Sequence, residues 1–199
     1  VLIAIAAQRL LTPMFAKAPA APAVRLEIAQ VLGTHMAFDG AMSAISPDGR
    51  VIAYAAADST GTTRLWVRPL ESLAARELRG TDNVQLPFWS PDSKFIGFFS
   101  GQEKLMKIAV TGGTPEAICS IRGPRGATWN NDGVILFAPL SEGPLHRVSA
   151  NGGESVPVTA LDSTETAHRF PCFLPHGKRF LYSSLPPHDG KFAIYLASL

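Results

Sequence analysis

A short turn motif flanked by apolar residues recurs four times along the chain. The copies are Ser46-Pro47-Asp48-Gly49, Ser90-Pro91-Asp92-Ser93, Asn130-Asn131-Asp132-Gly133 and Leu174-Pro175-His176-Gly177. Their first residues are 44, 40 and 44 positions apart. A second motif keeps the same period, as Leu65-Trp66-Val67, Leu105-Met106-Lys107, Leu145-His146-Arg147 and Ile194-Tyr195-Leu196. A repeat of roughly 40–45 residues made of strands and turns is typical of a β-propeller.

Each residue of the first copy suits a tight turn between two strands. Pro47 presets φ for the second turn position, Asp48 can bond back to its own backbone, and Gly49 accepts a left-handed conformation. The apolar residues on either side then form a hairpin. We therefore expect structural rather than catalytic roles for the turn residues Ser46, Pro47, Asp48, Gly49, Ser90, Pro91, Asp92, Asp132, Gly133, Pro175 and Gly177.

The pattern predicts an all-β fold, a β-propeller of about four blades of four antiparallel strands, with blades near residues 41–80, 84–120, 125–160 and 166–199. The last blade reaches Leu199 before its outer strand. The strand after each turn is almost wholly apolar, as at 51–57 and 95–99. Such strands are covered on both faces, which favours stacked blades over a sandwich. Because propellers have about 4–8 blades, we expect part of a larger ring.

The composition fits this class. Seventeen glycines and sixteen prolines suit many turns, and 46% hydrophobic residues can build a core. The net charge is +2 and the basic residues are scattered in pairs, so we expect no nucleic-acid partner. Cys119 and Cys172 are too few for a disulfide framework, and we expect them to pack as small apolar residues.

The first residues differ from the repeats. Residues 1–15 are mostly apolar, too short to span a membrane alone, and we interpret them as the possible end of a membrane helix or signal sequence. Residues 16–23 form an Ala/Pro linker, and the propeller region is expected to begin at 24 with the alternating stretch 24–29. This order predicts an extracytoplasmic, periplasmic domain tethered to a membrane.

The repeats resemble the WD-repeat-like propeller repeats of TolB, and their succession is similar to propellers appended to bacterial transmembrane serine/threonine kinases. The landmarks are Leu65-Trp66-Val67-Arg68-Pro69-Leu70, Pro87-Phe88-Trp89-Ser90-Pro91-Asp92-Ser93, Gly126-Ala127-Thr128-Trp129-Asn130 and His168-Arg169-Phe170-Pro171. The resemblance covers residues 24–199 and implies the order kinase, membrane helix, linker, extracytoplasmic propeller. The chain departs from the pattern at Ser93 for Gly, at Asn130-Asn131 for Ser-Pro and at His176 for Asp.

One constellation of metal-ligand type stands out, His168-x3-Cys172-x3-His176. These residues share a face of a regular strand and are zinc-ligand types, but Pro171 and Pro175 interrupt it and no fourth ligand is near. We therefore expect no metal there. The recurring Asp48, Asp92 and Asp132 are interpreted as turn caps rather than calcium ligands, and Trp66, Trp89 and Trp129 as packing residues. No cofactor is expected.

The sequence has no Gly-x-Ser-x-Gly nucleophile elbow, no Asp-Phe-Gly and no glycine-rich phosphate loop. We therefore expect a non-catalytic binding or sensory propeller with a protein or peptide ligand, as the extracytoplasmic part of a membrane kinase. A TolB-like periplasmic interaction scaffold is the second hypothesis. The third is the propeller gate of a prolyl-oligopeptidase-type serine peptidase, whose nucleophile would lie outside these residues.

Overall fold

The computed structural model describes residues 33–36, 42–186 and 192–199. The apolar segment 1–15, the linker 16–23 and the alternating stretch 24–29 lie outside the described residues, so those predictions stay predictions. No helix long and apolar enough to cross a membrane occurs in the described ranges. What these ranges contain is all-β: sixteen strands in four antiparallel sheets.

Each sheet is a blade. In blades two to four neighbouring strands follow one another in chain order, whereas in blade one the first two strands both pair with the third. Blade one contains β1 (His35–Met36), β2 (Ser43–Ile45), β3 (Val51–Ala57), β4 (Thr63–Pro69) and β5 (Arg76–Leu78). Blade two contains β6 (Val84–Trp89), β7 (Phe95–Ser100), β8 (Lys104–Ala109) and β9 (Glu116–Ser120). Blade three contains β10 (Ala127–Trp129), β11 (Val134–Phe137), β12 (His146–Ser149) and β13 (Val156–Pro157). Blade four contains β14 (Ala167–Phe173), β15 (Arg179–Leu185) and β16 (Ala193–Ser198).

The predicted fold class is confirmed, and the apolar strands predicted at 51–57 and 95–99 are present as Val51–Ala57 and Phe95–Ser100. Two differences have a structural cause. The sequence pattern predicts the outer strand of blade three over 155–159, but the paired strand is only Val156–Pro157. Val158 N–H still donates to Leu145 O, but Leu145 N–H donates to the side-chain Oγ1 of Thr159 instead of returning a backbone bond. The short β1 was not predicted; it pairs with the end of β3 beyond β2, as His35 opposite Ala57.

The first strands of successive blades contact one another: β2 contacts β6, β6 contacts β10, and β10 contacts β14. The first strands therefore lie closest to the axis around which the blades are arranged. Each of them runs toward its turn motif. We call the end of the array that carries the four turn motifs the turn end. The opposite end carries the connections between blades and the loops between second and third strands, and we call it the loop end.

The core lies between neighbouring blades, as the apolar strands predicted. Blades one and two bury Ala53, Leu65 and Val67 against Ile96 and Phe98. The same arrangement recurs between blades two and three and between blades three and four, where the buried residues include Leu105, Phe99, Ile135, Phe137, Leu136, Leu145 and Phe180. Burying one such side chain stabilises the fold by about 1.5–3 kcal/mol. Stacked sheets of this kind support the propeller over a two-sheet sandwich.

The second repeated motif marks the side of each blade that faces the next blade. Its leading residues Leu65, Leu105 and Leu145 are all 0% exposed, whereas Ile194 at the equivalent position of blade four is 75% exposed. Leu196 on the same face of β16 is 53% exposed. The difference follows from packing, since no fifth sheet among the described residues covers this face.

Candidate functional site

The turn motifs of blades one and two are closed by their own side chains. Ser46 Oγ donates to Asp48 Oδ1 at 2.5 Å and accepts from the backbone N–H of Val51 at 2.9 Å. Ser90 Oγ likewise donates to Asp92 Oδ1 at 2.6 Å and accepts from the N–H of Phe95 at 2.9 Å. These hydroxyl hydrogen bonds are the main cause that lowers the pKa values of both aspartates. The remaining positions of these turns are occupied by Pro47, Gly49, Pro91 and Ser93.

The third turn is closed by a different side chain from the first two turns. It is one residue shorter, because Asn130 N–H donates to Val134 O, whereas Ser46 N–H reaches Val51 O. Asn130 Oδ1 accepts from the N–H groups of Asp132 and Val134 at 3.1 and 2.9 Å. The amide oxygen thus replaces the serine hydroxyl. Asp132 is exposed, and the acceptor for these two N–H groups is the amide oxygen of Asn130 and not the carboxylate of Asp132.

The fourth turn closes through its backbone alone. Leu174 N–H donates to Arg179 O at 2.8 Å, and Gly177 N–H donates to Leu174 O at 3.0 Å. His176 and Gly177 both have positive φ, 76° and 65°. Because two consecutive left-handed residues already shape this turn, a side-chain acceptor at position 174 or 176 is not needed to close it.

Side chains at the turn end also tie neighbouring blades together. Asp48 N–H donates to Ser93 Oγ of blade two at 3.2 Å. Asn130 Nδ2 donates to Gly177 O of blade four at 2.9 Å, in a buried position, and a Cβ on Gly177 would lie 2.8 Å from Asn130 Cβ. The turn motifs therefore hold the blade array as well as the hairpins.

We expect Asn130→Ala to lower the free energy of unfolding by about 2–3 kcal/mol, because it leaves Gly177 O and two turn N–H groups without their partner. Asn130→Ser introduces the serine hydroxyl that closes the equivalent turns of the first two blades. It loses only the hydrogen bond to Gly177 O of blade four. It should cost about 1 kcal/mol. Urea unfolding monitored by tryptophan fluorescence measures the stability of both variants. Equal losses would contradict a role of Asn130 in both closing the turn and joining the two blades.

Between the turns of blades two and three lies an open groove of about 220 Å³. Phe95 and Trp129 line it, with ring centroids 6.4 Å apart, and Asp92 lies at its rim. Trp129 is thus only partly buried. Trp89, at the equivalent position of blade two, is 7% exposed and donates from Nε1 to Ala44 O at 3.0 Å. The packing role predicted for the tryptophans fits Trp89 better than Trp129.

The structure does not bring His168, Cys172 and His176 together. His168 is buried, Cys172 is exposed and follows an irregularity in β14, and His176 is exposed in its turn. The irregularity between Arg169 and Cys172 breaks the alternation that would have placed the three on one face. Among the described residues, no three His, Cys, Asp or Glu side chains are grouped as metal ligands.

His168 instead belongs to a buried hydrogen-bond network between blades three and four. Its Nε2 lies 3.1 Å from Glu165 Oε2, and its Nδ1 lies 2.7 Å from Thr159 Oγ1. Ser184 Oγ donates to Glu165 Oε1 at 2.6 Å, and Leu145 N–H donates to Thr159 Oγ1 at 2.9 Å. An ionised carboxylate only accepts, so Nε2 carries a proton and donates to Glu165, while Nδ1 shares a hydrogen bond with the threonine hydroxyl.

The two cysteines have different surroundings. Cys119 is half-buried beside the core between blades two and three, and burial raises the pKa of its thiol to about 11. Cys172 is exposed, which differs from the expectation that both cysteines pack as apolar residues.

A thiol reagent at pH 8 should therefore modify Cys172 rapidly and Cys119 slowly, since the thiolate is the reactive species. Mass spectrometry after brief alkylation measures this, with Cys172→Ser as the control. Rapid modification of Cys119 in the folded Cys172→Ser variant would contradict the assignment.

Blades two to four share a backbone irregularity at or just before their first strands, which the sequence analysis did not predict. Four residues before the first residue of these three turns, Leu86, Gly126 and Phe170 have φ values of 47°, 94° and 51°. β6 and β14 shift their register at this point. The residue types do not predict this irregularity, because leucine and phenylalanine seldom adopt a positive φ. Only the equivalent position of the three residues in the repeat indicates it.

The irregularity places three polar side chains in equivalent positions at the loop end: Gln85, Arg125 and Arg169. Phe170 N–H donates to Arg125 O at 2.8 Å, so the backbones of blades three and four meet here. Arg169 Nη2 donates to Ser141 O at 2.5 Å. The Nε of Arg169 is buried and has no hydrogen-bond partner in the described structure. Desolvation and then the charge of Arg125 lower the pKa of Arg169.

Comparisons with known proteins bear on the fold. No protein-family model matches the sequence, and no curated protein matches it. Among solved structures, the propeller domain of the trilobed protease from Pyrococcus furiosus is similar with a TM-score of 0.56 at 15% identity, over 85% of this chain and 56% of that one. The calcium-binding protein regucalcin from Agrobacterium tumefaciens gives 0.52 at 18% identity, over 74% and 54%.

A puromycin hydrolase gives a TM-score of 0.58 at 17% identity, over 78% of this chain and 26% of that enzyme. The chain therefore spans a little over half the length of the first two structures and about a quarter of the third. At these identities the likeness concerns the fold. The stacked antiparallel sheets and these neighbours together identify the chain as a β-propeller domain.

Proposed function

We propose that this propeller is a non-catalytic binding module and that its ligand-binding surface is the loop end around the first strands. The observation that carries the proposal is the row of Gln85, Arg125 and Arg169 at equivalent positions of three successive blades, with the exposed Phe170 directly after Arg169. The turn end, by contrast, uses its polar side chains to close turns and join blades. We expect the ligand of this surface to be a protein or a peptide.

We also propose a location for this propeller within a longer protein. The landmarks that resemble kinase-associated propellers, and the apolar segment followed by an Ala/Pro linker, support the extracytoplasmic part of a bacterial membrane-bound serine/threonine kinase. The test is a pair of reporter fusions after Leu199 in the full protein. Alkaline phosphatase should be active and β-galactosidase inactive; the reverse result would rule out this topology.

A second candidate is the propeller gate of a serine peptidase. It is favoured by the likeness to the propeller of a protease and to a puromycin hydrolase.

A TolB-like scaffold predicts a cleavable signal sequence and no kinase. Sequencing the coding DNA on both sides separates the three: an upstream kinase with a complete membrane helix supports the first proposal, and a downstream Gly-x-Ser-x-Gly supports the peptidase.

A further inference from the structure

The open groove between the turns of blades two and three has an aromatic residue on each side. Phe95 begins β7 of blade two, and Trp129 ends β10 of blade three. At the equivalent positions of the other two described interfaces, one residue of each pair is valine: Val51 with Trp89, and Val134 with Phe173. The pair of aromatic rings is therefore a property of this one interface and not of the repeat.

Trp129 is held in place by the core but keeps part of its ring at the surface. Its ring packs edge-on against the buried Phe88, with centroids 6.5 Å apart and 61° between the planes. The Phe95 ring lies 6.4 Å away at 35°. Trp89, by contrast, is buried and donates from Nε1 to Ala44 O. The groove thus has a fixed aromatic surface that the core does not fully cover.

The charge at the groove is negative. Of the described residues that line it, Asp92 alone carries a charge. Its Oδ1 closes the turn by accepting from Ser90 Oγ and Lys94 N–H, whereas its Oδ2 lies 3.9 Å from Lys94 Nζ. That lysine side chain is 75% exposed, and an exposed pair at this distance contributes little to stability. The Oδ2 atom can therefore accept a hydrogen bond from a cationic ligand.

The Phe95 ring already holds one cation of the protein. Lys107 Nζ lies 5.6 Å from the centroid of this ring and 3.3 Å from Glu116 Oε2. Lys107 does not line the groove, and the carboxylate of Glu116 offsets its charge. Aromatic faces attract cations within about 6 Å of the ring centroid. The groove repeats the combination that holds Lys107, because it also has an aromatic surface beside a carboxylate.

The size of the groove and its acceptor narrow the kind of cation. Its volume of about 220 Å³ is smaller than the roughly 300–1,000 Å³ of pockets that enclose a small molecule, so it fits one side chain of a larger partner. A guanidinium suits the site because its flat face stacks on an indole while its edge donates to a carboxylate. A quaternary ammonium has no N–H to donate to Asp92.

We propose that this groove binds the arginine side chain of a partner peptide, with the guanidinium stacked on Trp129 and hydrogen-bonded to Asp92 Oδ2. The site lies at the turn end, away from the row of Gln85, Arg125 and Arg169 at the loop end. It goes beyond the binding function proposed for the loop end, and neither site requires the other.

The test is an NMR titration of the ¹⁵N-labelled protein with acetyl-Gly-Arg-Gly-amide, followed through the indole N–H signals. The signal that is missing in Trp129→Phe identifies Trp129. This signal should shift in a saturable way, and those of Trp66 and Trp89 should not. The same peptide with citrulline in place of arginine keeps the shape and loses the charge. It should bind roughly three- to tenfold more weakly, as expected for the loss of a cation–π contact.

Asp92→Asn tests the carboxylate with little structural risk. Asparagine keeps the Oδ1 acceptor that closes the turn and removes the charge. The arginine peptide should then bind about threefold more weakly, and the citrulline peptide should be unaffected. Asp132→Asn is the matched control, because Asp132 is exposed on the neighbouring turn and does not line this groove. It should leave both affinities unchanged.

Each contrary result overturns a different part of the proposal. Equal binding of the arginine and citrulline peptides would overturn the cation assignment in favour of an uncharged side chain. Equal weakening by Asp92→Asn and Asp132→Asn would overturn the direct role of Asp92. No saturable shift of the Trp129 signal up to about 10 mM peptide would overturn the site itself.

Discussion

Replacing Gly97 with alanine is expected to lower the free energy of unfolding by about 3 kcal/mol. Gly97 lies in β7 opposite Phe88 of β6. A Cβ built on Gly97 would lie 2.2, 2.5 and 2.8 Å from three carbons of the Phe88 ring. The ring therefore occupies the space of the missing side chain. Since the φ of Gly97 is not positive, the cost is one of packing and not of backbone conformation.

The Phe88 ring has little room to move away. It is 8% exposed and packs 6.3 Å from Phe99 and 6.5 Å from Trp129, measured between ring centroids. Phe88→Leu alone should cost about 1–2 kcal/mol through the lost ring contacts. In the double variant the two losses should not add, because leucine makes room for the methyl group. Urea unfolding of the four proteins measures the coupling, and strictly additive losses would contradict this account.

Replacing His168 with alanine is expected to cost about 3 kcal/mol. The side chain is 1% exposed, and its removal leaves the carboxylate of Glu165, itself 10% exposed, without its ring N–H partner. It also removes an edge contact with Tyr182 at 4.6 Å between ring centroids. His176→Asn is the matched control: this histidine is exposed at a positive φ that asparagine tolerates, so the change should stay within about 0.5 kcal/mol. A loss as small for His168→Ala would refute the structural role of the network.

The same hydrogen-bond network predicts that the free energy of unfolding decreases as the pH becomes acidic. The hydroxyl hydrogen bond from Ser184 is the main cause that lowers the pKa of Glu165 below its ordinary value of 4.5. A carboxyl whose pKa is lowered by folding stabilises the protein above that ordinary value, and this contribution is lost as the pH falls through the folded pKa. Glu165→Gln should therefore be less stable at pH 7, by about 1 kcal/mol, and should lose less stability than the parent between pH 5 and 3. Parallel pH profiles would contradict the assignment.

The repeat period and the turn chemistry were enough to predict the fold. Pro47, Asp48 and Gly49 determine a turn through interactions within four residues, so their role could be read without knowing the rest of the chain. The apolar strands predicted burial on both faces, and β3, β7 and β11 are buried accordingly. Local sequence was less informative at 155–159, where the side chain of Thr159 takes the N–H of Leu145 and the strand ends early.

The candidate site could not be predicted in the same way. The spacing of His168 and Cys172 indicated a shared face, but a register shift in β14 separates them, and such shifts depend on the neighbouring strand. The arginines Arg125 and Arg169 are 44 residues apart, and nothing in their local sequence marks them. They become neighbours only because blades three and four stack with Phe170 N–H bonded to Arg125 O.

The sequence by itself determined the all-β propeller fold and the turns of its first two blades, because these depend on residue patterns within one repeat. The tertiary structure alone decided which polar groups share a surface. Stacking of blades pairs residues about one repeat apart, as Asn130 with Gly177 at the turn end and Arg125 with Phe170 at the loop end. Contacts between repeats arise from the packing of apolar blade faces, and that packing carries no local signal in the polar residues it brings together.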